Sequence, residues 1–289
     1  MAKARQNKRA RSARPAPRTG EAEQPAASGG WKATRTWLAG IISAVLIAAI
    51  GVVFSTWFNA RGTDTLDRLG GGPPITVGHV AIDYAGQVTA LREPVTDPAG
   101  RVALRASAAD AAREAALTRH HRARIDIMNV TVTLVGNRGS LRIVDMKPRV
   151  LTRGPVSDGA RLTAAGAGET GTVELAADLD QKAPRFTMSK DPRIPYFTKK
   201  QIDLKRDERV TLNMTITGKK AYYEFDLVLT VLAEDRTEEI VINGPDKTPF
   251  RLTGAARSYR SYYGDSPLGG WEPLSREQVC ETYPKAKGC

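Results

Sequence analysis

"VTLNMTITGKKAYYEFDLVLTV", Val210–Val231, carries the fold. Val210, Leu212, Met214 and Ile216 alternate with Thr211, Asn213, Thr215 and Thr217. A period of two puts the apolar set on one face of a strand and the polar set on the other. Gly218-Lys219-Lys220 reads as a turn, and Tyr223, Phe225, Leu227, Leu229 and Val231 then line one face of a second strand. The pair is predicted to be a β-hairpin. The same pattern precedes it: Val130, Val132 and Leu134 alternate with threonines, "GNRGS" turns, and Leu141 and Ile143 return, which predicts a second hairpin. Ile125 and Ile127 have the opposite parity to Val130. If all of them face the core, a β-bulge near Met128-Asn129 must absorb one residue.

Further strands are predicted at 75–84, 172–179, 202–204, 238–243 and 250–253. Many short strands broken by Gly, Pro and Asn argue for a mainly β fold, a sandwich. One stretch differs. "SAADAAREAALTRHHRAR", 107–124, has helix propensity. Its apolar face holds only alanines and Leu117, so it is expected as a short surface helix or an insertion, outside the core.

Upstream of the strands the chemistry changes. Between Arg35 and Arg61 no side chain is charged. A bilayer core of roughly 30 Å needs about 20 helical residues. Trp37 and Trp57 stand about 30 Å apart on a helix, the separation of two membrane interfaces. A cleavable signal has a shorter apolar run ending in small-x-small. Here the run leads into Trp57, Phe58, Asn59 and Ala60. The segment reads as an uncleaved signal-anchor over 37–58. Gly40, Ala44, Ala48, Gly51 and Ser55 form a stripe of small residues at helical spacing. Such a stripe allows close pairing of two helices, hence a homodimer; an Ala-rich span also produces one by chance.

The net charge of +12 is concentrated at the front. Residues 1–36 hold nine Lys/Arg and two Glu, without hydrophobic periodicity. They cannot bury enough surface to fold. Basic residues stay on the cytoplasmic side, so the N-terminus is predicted inside and the strand-rich part outside, at the cell membrane. The tail can also attract anionic lipid. It has no interleaved aromatics and no groove-reading fold, so a nucleic-acid partner is not expected. The predicted organisation is a basic cytoplasmic tail (1–36), the anchor (37–58), a Gly/Pro linker (59–74), an extracytoplasmic β-sandwich (75–265) and a C-terminal tail (266–289).

Residue types that support chemistry are sparse. Cys280 and Cys289 are the only cysteines. An oxidising exterior permits a bridge between them, with free thiols or intermolecular pairing as the alternatives. His79, His120 and His121 lack metal-ligand spacing, since adjacent helical residues do not share a face. Asp178 and Asp180 could offer oxygens to calcium, but the further carboxylates of a loop site are missing, and a solvated turn is the simpler reading. "TAAGAGETG" lacks the Lys-Ser/Thr that holds phosphate. No Gly-x-Ser-x-Gly elbow occurs, and nothing calls for a cofactor or a metal. Tyr259, Tyr262, Tyr263 and Trp271 suit contacts with a protein or sugar partner, or alternatively close the sandwich edge.

"IDLKRDERVTLNMTI", 202–216, resembles a pattern of bacterial extracytoplasmic immunoglobulin-like domains. Two apolar residues there precede a polar turn ending in Glu, and an alternating strand follows. Here Ile202 and Leu204 open it, Glu208 ends the turn, and Leu212, Met214 and Ile216 follow. The usual Pro-Gly before the Glu is replaced by Arg206-Asp207. The whole arrangement of basic tail, anchor and β-domain, with a late "PFR" strand at Pro249, Phe250 and Arg251, is similar to uncharacterised single-pass membrane proteins of actinobacteria. The resemblance implies a place and a fold, not an activity. The expectation is a membrane-anchored extracytoplasmic binding or envelope-structural module without catalysis, meeting an envelope protein or glycan. A wall-acting enzyme, or a sensor signalling through helix pairing, is the alternative.

Overall fold

The computed structural model describes residues 72–84, 88–107, 110–163, 175–188, 191–233, 235–266 and 269–289. The basic tail, Trp37, Trp57, the stripe from Gly40 to Ser55 and most of the linker lie outside them. Among the described residues no helix is long and apolar enough to cross a membrane.

The fold is mainly β and sandwich-like. One layer runs β1 (Ile75–Ile82), β3 (Ala123–Gly136), β10 (Arg209–Gly218), β6 (Leu175–Asp178), β7 (Thr187–Met188) and β8 (Asp191–Pro195). The other runs β9 (Ile202–Leu204), β4 (Leu141–Gly154) and β11 (Tyr222–Ala233). Along the far side of β11 lie β12 (Arg236–Ile242) and β13 (Phe250–Thr253), each pairing with its own half of that strand. Most neighbours are antiparallel, but β10–β6 and β13–β3 are parallel.

The two predicted hairpins are not hairpins. β10 pairs with β3 and β6, whereas β11 pairs with β4, β12 and β13. Likewise β3 and β4 belong to opposite layers. In each case the chain crosses the sandwich as an arch, and the inward side chains of the two strands meet face to face. Leu212, Met214 and Ile216 pack in one core with Tyr223, Phe225, Leu227 and Leu229. A two-residue hairpin turn demands positive φ, and Gly218 to Ala221 all avoid it.

The 219–221 crossing takes backbone N–H groups out of any ladder, and Asp180 receives them. Its carboxylate accepts from the N–H of Lys219 and of Lys220, each at 3.0 Å, and from the Tyr223 hydroxyl. Asp180 is thus a structural acceptor rather than a solvated turn residue. Gly254 donates its N–H to Ala221 O at 3.0 Å. A Cβ there would collide with the Lys219 carbonyl, so only glycine lets the crossing lie this close.

The change of parity in β3 falls earlier than expected. The β3–β10 register is unbroken from Asp126 to Val135. The switch sits at Asp126, with φ of 63°. Ile125 is buried on one side of it and Met128 on the other, while Ile127 is 43% exposed. No bulge is needed at Met128-Asn129, because Ile127 does not face the core. Residues 123–125 instead join β2 (Thr89–Leu91) and β13.

There a second lobe begins. β2 pairs with β5 (Ala160–Leu162), which pairs with β14 (Ser261–Asp265), which pairs with β15 (Trp271–Pro273). Helices α1 (Pro98–Arg105) and α2 (Ala111–Arg119) pack on it. Asp97 caps α1 through Gly100 N at 2.6 Å, with Pro98 in its first turn, and Asp110 caps α2 through Ala112 N at 2.8 Å. The predicted surface helix is therefore a core element: Ala116 and Leu117 are 3% and 0% exposed. Leu117 shares its cluster with Leu91, Val95, Leu104, Ala160, Leu162, Tyr263 and Trp271. The end of the linker docks on the β3–β4 arch, where the Asn137 amide donates to Pro73 O at 2.9 Å and Arg138 to Gly72 O at 2.9 Å.

Burial tends to raise the Asp180 pKa, but the hydrogen bonds from Tyr223, Lys219 and Lys220 outweigh it and hold the carboxyl below its ordinary value. A depressed pKa means stabilisation that is present above the unfolded-state value and lost as pH falls through the folded one. Asp180→Asn is expected to destabilise the fragment 72–289 by about 1–3 kcal/mol in urea denaturation at neutral pH. The penalty should shrink on acidification below the ordinary aspartate range, where the wild-type carboxylate is itself protonated.

Candidate functional site

A cleft of about 500 Å³ lies between the two lobes. One wall comes from the sandwich: Ile82 and Tyr84 at the end of β1, Arg251 on β13, and the loop at Pro245–Pro249. The other comes from the second lobe: Arg113, Glu114, Leu117 and Thr118 on α2, with Thr89 and Trp271. Arg122 closes the side where α2 returns to β3.

Guanidinium groups on aromatic rings dominate this wall. The Arg113 guanidinium lies 3.9 Å from the centre of the Trp271 ring and donates through Nη1 to Ala106 O at 3.0 Å and Gly269 O at 2.9 Å. Its burial lowers its pKa. Arg122 lies 4.2 Å over Tyr84 and pairs with Glu114, Nη2 to Oε2, at 3.0 Å. A cation over an aromatic face is attracted by the ring quadrupole, by about 0.5–2 kcal/mol according to desolvation.

Behind the wall, Glu224 gathers two donors and has a histidine nearby. The Tyr222 hydroxyl donates to it at 2.8 Å and Arg251 Nε at 3.1 Å, while His121 Nδ1 stands 3.5 Å away. Burial works to raise the Glu224 pKa, but Tyr222 and Arg251 reverse the balance and hold it below the usual glutamate value. Tyr222 is pushed up, by burial first and then by its bond to Glu224. Farther along β11, Asp226 receives Arg149 through two parallel bonds of 2.9 and 2.6 Å. Glu114, Glu224 and Asp226 are thus each tied to an arginine, whereas Asp246 lines the cleft from an exposed position on the 245–249 loop.

The residues singled out from the sequence have other places. Tyr259, Tyr263 and Trp271 are 7%, 5% and 7% exposed, so the chain's own interior takes most of their surface. Tyr262 is half-buried, stacked on Tyr283 with ring centres 5.0 Å apart. The imidazole nitrogens of His120 are buried, and His79 is exposed on β1. Among the described residues no cluster of His, Cys, Asp and Glu could hold a metal. Cys280 and Cys289 are joined as a disulfide, with Cα atoms 5.2 Å apart. The bridge starts at Cys280 in the last turn of α3 (Arg276–Thr282), a helix opened by a capping box of Ser275 and Gln278. It holds Tyr283 where its hydroxyl meets Thr163 Oγ1 at 2.9 Å, and Lys287 N where it donates to Ser258 Oγ at 2.9 Å.

Sequence reading missed the cleft because its walls come from segments far apart in the chain. The cap signal Asp97-Pro98 was present in the sequence and would have announced α1. Compared with known protein families and with curated proteins, the chain matches none.

Reduction of the disulfide removes a ten-residue closed loop, worth at most about 2.7 kcal/mol on the chain-entropy view. The effect should stay local. Trypsin is expected to cut first at Lys285 and Lys287 after reduction, with the rest of 72–289 intact by mass spectrometry.

Proposed function

We propose that this chain is a membrane-tethered extracytoplasmic module that binds a partner in the cell envelope and does not turn over a substrate. The observation that carries the reading is the state of the carboxylates around the interlobe cleft. Glu114 is bound by Arg122, and Glu224 by Arg251 and Tyr222. A general acid at neutral pH needs a raised pKa, and Glu224 is held in the opposite direction. A carboxylate already engaged by an arginine or tyrosine donor makes a weaker general base, and Glu114 and Glu224 are so engaged. The third carboxylate at the cleft, Asp246, is exposed on the 245–249 loop. What remains presented is a wall of guanidinium and aromatic groups, the chemistry of recognition.

The immunoglobulin-like description of the sandwich draws support from the β9–β10 turn. Asp207 there has φ of 62°, the left-handed geometry that the pattern ordinarily assigns to glycine. The Glu208 carboxylate accepts from Lys205 N at 2.8 Å and so closes the turn. The tether draws support from the charge-free stretch between Arg35 and Arg61 and from the nine basic residues before it. In this reading the basic tail is cytoplasmic and lies against anionic lipid, and residues 72–289 face outward, in the setting that the actinobacterial resemblance implies. The partner is an envelope protein or glycan.

Two measurements test the proposal. A protease added to intact cells should remove a C-terminal epitope while leaving the basic tail protected. The full-length chain, immobilised in detergent, should capture one envelope component saturably and leave wall fragments uncut. Release of product from those fragments, abolished by Glu114→Gln, would overturn the non-catalytic reading.

A further inference from the structure

We infer that the interlobe cleft is a binding site for an oxyanion, a carboxylate or phosphate group carried on a larger envelope ligand. The inference rests on the binding reading above and names the chemistry that the site selects.

Three residues from three separate elements line this cleft while being more than nine-tenths buried: Thr89 on β2, Arg113 on α2 and Trp271 on β15, at 4%, 8% and 7% exposure. Each keeps one buried polar atom without a protein partner: Thr89 Oγ1, Arg113 Nε and Trp271 Nε1. The two nitrogens can only donate. A fourth group stands next to them. Arg124 is 1% exposed and directly opposite Thr89 in the β2–β3 ladder. Its Nε and Nη1 also have no protein partner. Burial pushes its pKa down to about 10, which leaves it charged at neutral pH.

Leaving donors buried and unpaired is expensive, and more so when they are charged. Elsewhere arginines meet this demand by pairing, as Arg149 does with Asp226 and Arg251 with Glu224, although His120, His121, Ser157 and Arg161 also keep buried polar atoms without a hydrogen-bond partner. Here four such groups fall at one junction of the two lobes. The group that satisfies donors alone is an acceptor-only one, and a charged oxyanion does so most strongly. Arg122 and Arg251 are already paired with Glu114 and Glu224, and Asp246 also lines the cleft, so the selectivity comes from the unpartnered donors. A metal cation cannot accept from them, and a neutral sugar accepts from them more weakly than an oxyanion does. The volume of about 500 Å³ is in the range of small-ligand sites, so the anion can arrive on a sugar-sized frame.

Arg113 Nε and Trp271 Nε1 lie just under the cleft wall, not on it. A ligand reaches them when the Arg113 guanidinium turns off the Trp271 face. Binding therefore has a local signature at the indole N–H.

The chain has four tryptophans, so indole ¹⁵N labelling of the full-length protein in detergent gives a readable spectrum, with Trp271→Phe identifying its peak. Inorganic phosphate, glucuronate and glucose are the probes. Phosphate or glucuronate is expected to shift the Trp271 peak saturably, the stronger of the two identifying the anion's source, and glucose to leave it in place. Arg113→Met should weaken the effect about tenfold or more. Thr89→Val, a near-isosteric change in a strand, gives a second variant with the same expectation of weakening if Arg113→Met fails to fold. An equal response to glucose, or no shift with any probe at about 50 mM, or an unweakened response in whichever variant folds, overturns the oxyanion assignment. If envelope capture survives while the probes fail, only this assignment falls. If capture is absent while the probes bind, the broader binding reading falls and the oxyanion site stands.

Discussion

The inward faces of β10 and β11 must meet each other, and the rest of the structure follows from that. Their apolar side chains are adjacent in sequence yet pack across the core from opposite layers. The chain must therefore cross between layers within a few residues, and the crossing exposes backbone donors that no ladder can take. Asp180 takes two of them and the Tyr223 hydroxyl as well. Gly254 lets the crossing lie against the end of β13. The Lys219 and Lys220 donors are exposed, so the part-buried bond from Tyr223 is where this carboxylate ties the crossing to the core.

Placing β11 at the centre of the second layer has consequences for its outer face. Tyr222, Glu224 and Asp226 point away from the sandwich core and are pinned by Arg251, Arg149 and, through its ring, Arg92. Tyr222 and Asp226 are buried although they are off the core. The second lobe begins alongside, where β3 changes parity at Asp126 and lends its first residues to β2 and β13. The cleft is thus a by-product of how two cores share one strand. Its wall is built from the α2 face that also supplies Leu117 to the second core, so recognition and packing are coupled through one helix.

Arginine rather than lysine suits this junction. A guanidinium can stack on an aromatic ring and still direct N–H groups sideways to carbonyls or to a ligand. Arg113 does this, lying on Trp271 while holding Ala106 and Gly269. Its stem also covers apolar surface that the alanines of α2 are too short to reach. The helix looked too weakly apolar to belong to a core because its burial depends on that arginine, on Leu117 and on alanines small enough for close approach.

The period-two alternation of Val210–Ile216 and Tyr223–Val231 determined by itself that these are strands with one buried face. The positions of β9 and β13 were legible to the residue, whereas the sequence permitted a Cys280–Cys289 bridge beside free thiols or intermolecular pairing, and the structure shows the bridge. Alternation says which face is buried but not which neighbour lies beside it, so hairpin and arch have the same pattern. Only tertiary structure decided between them, because the choice depends on which distant strands lie beside each one: β3 and β6 beside β10, and β4, β12 and β13 beside β11. The aromatic quartet from Tyr259 to Trp271 was ambiguous for the same reason. Burial of an aromatic residue is a property of what packs on it, and α1, α2 and β5 arrive from elsewhere in the chain.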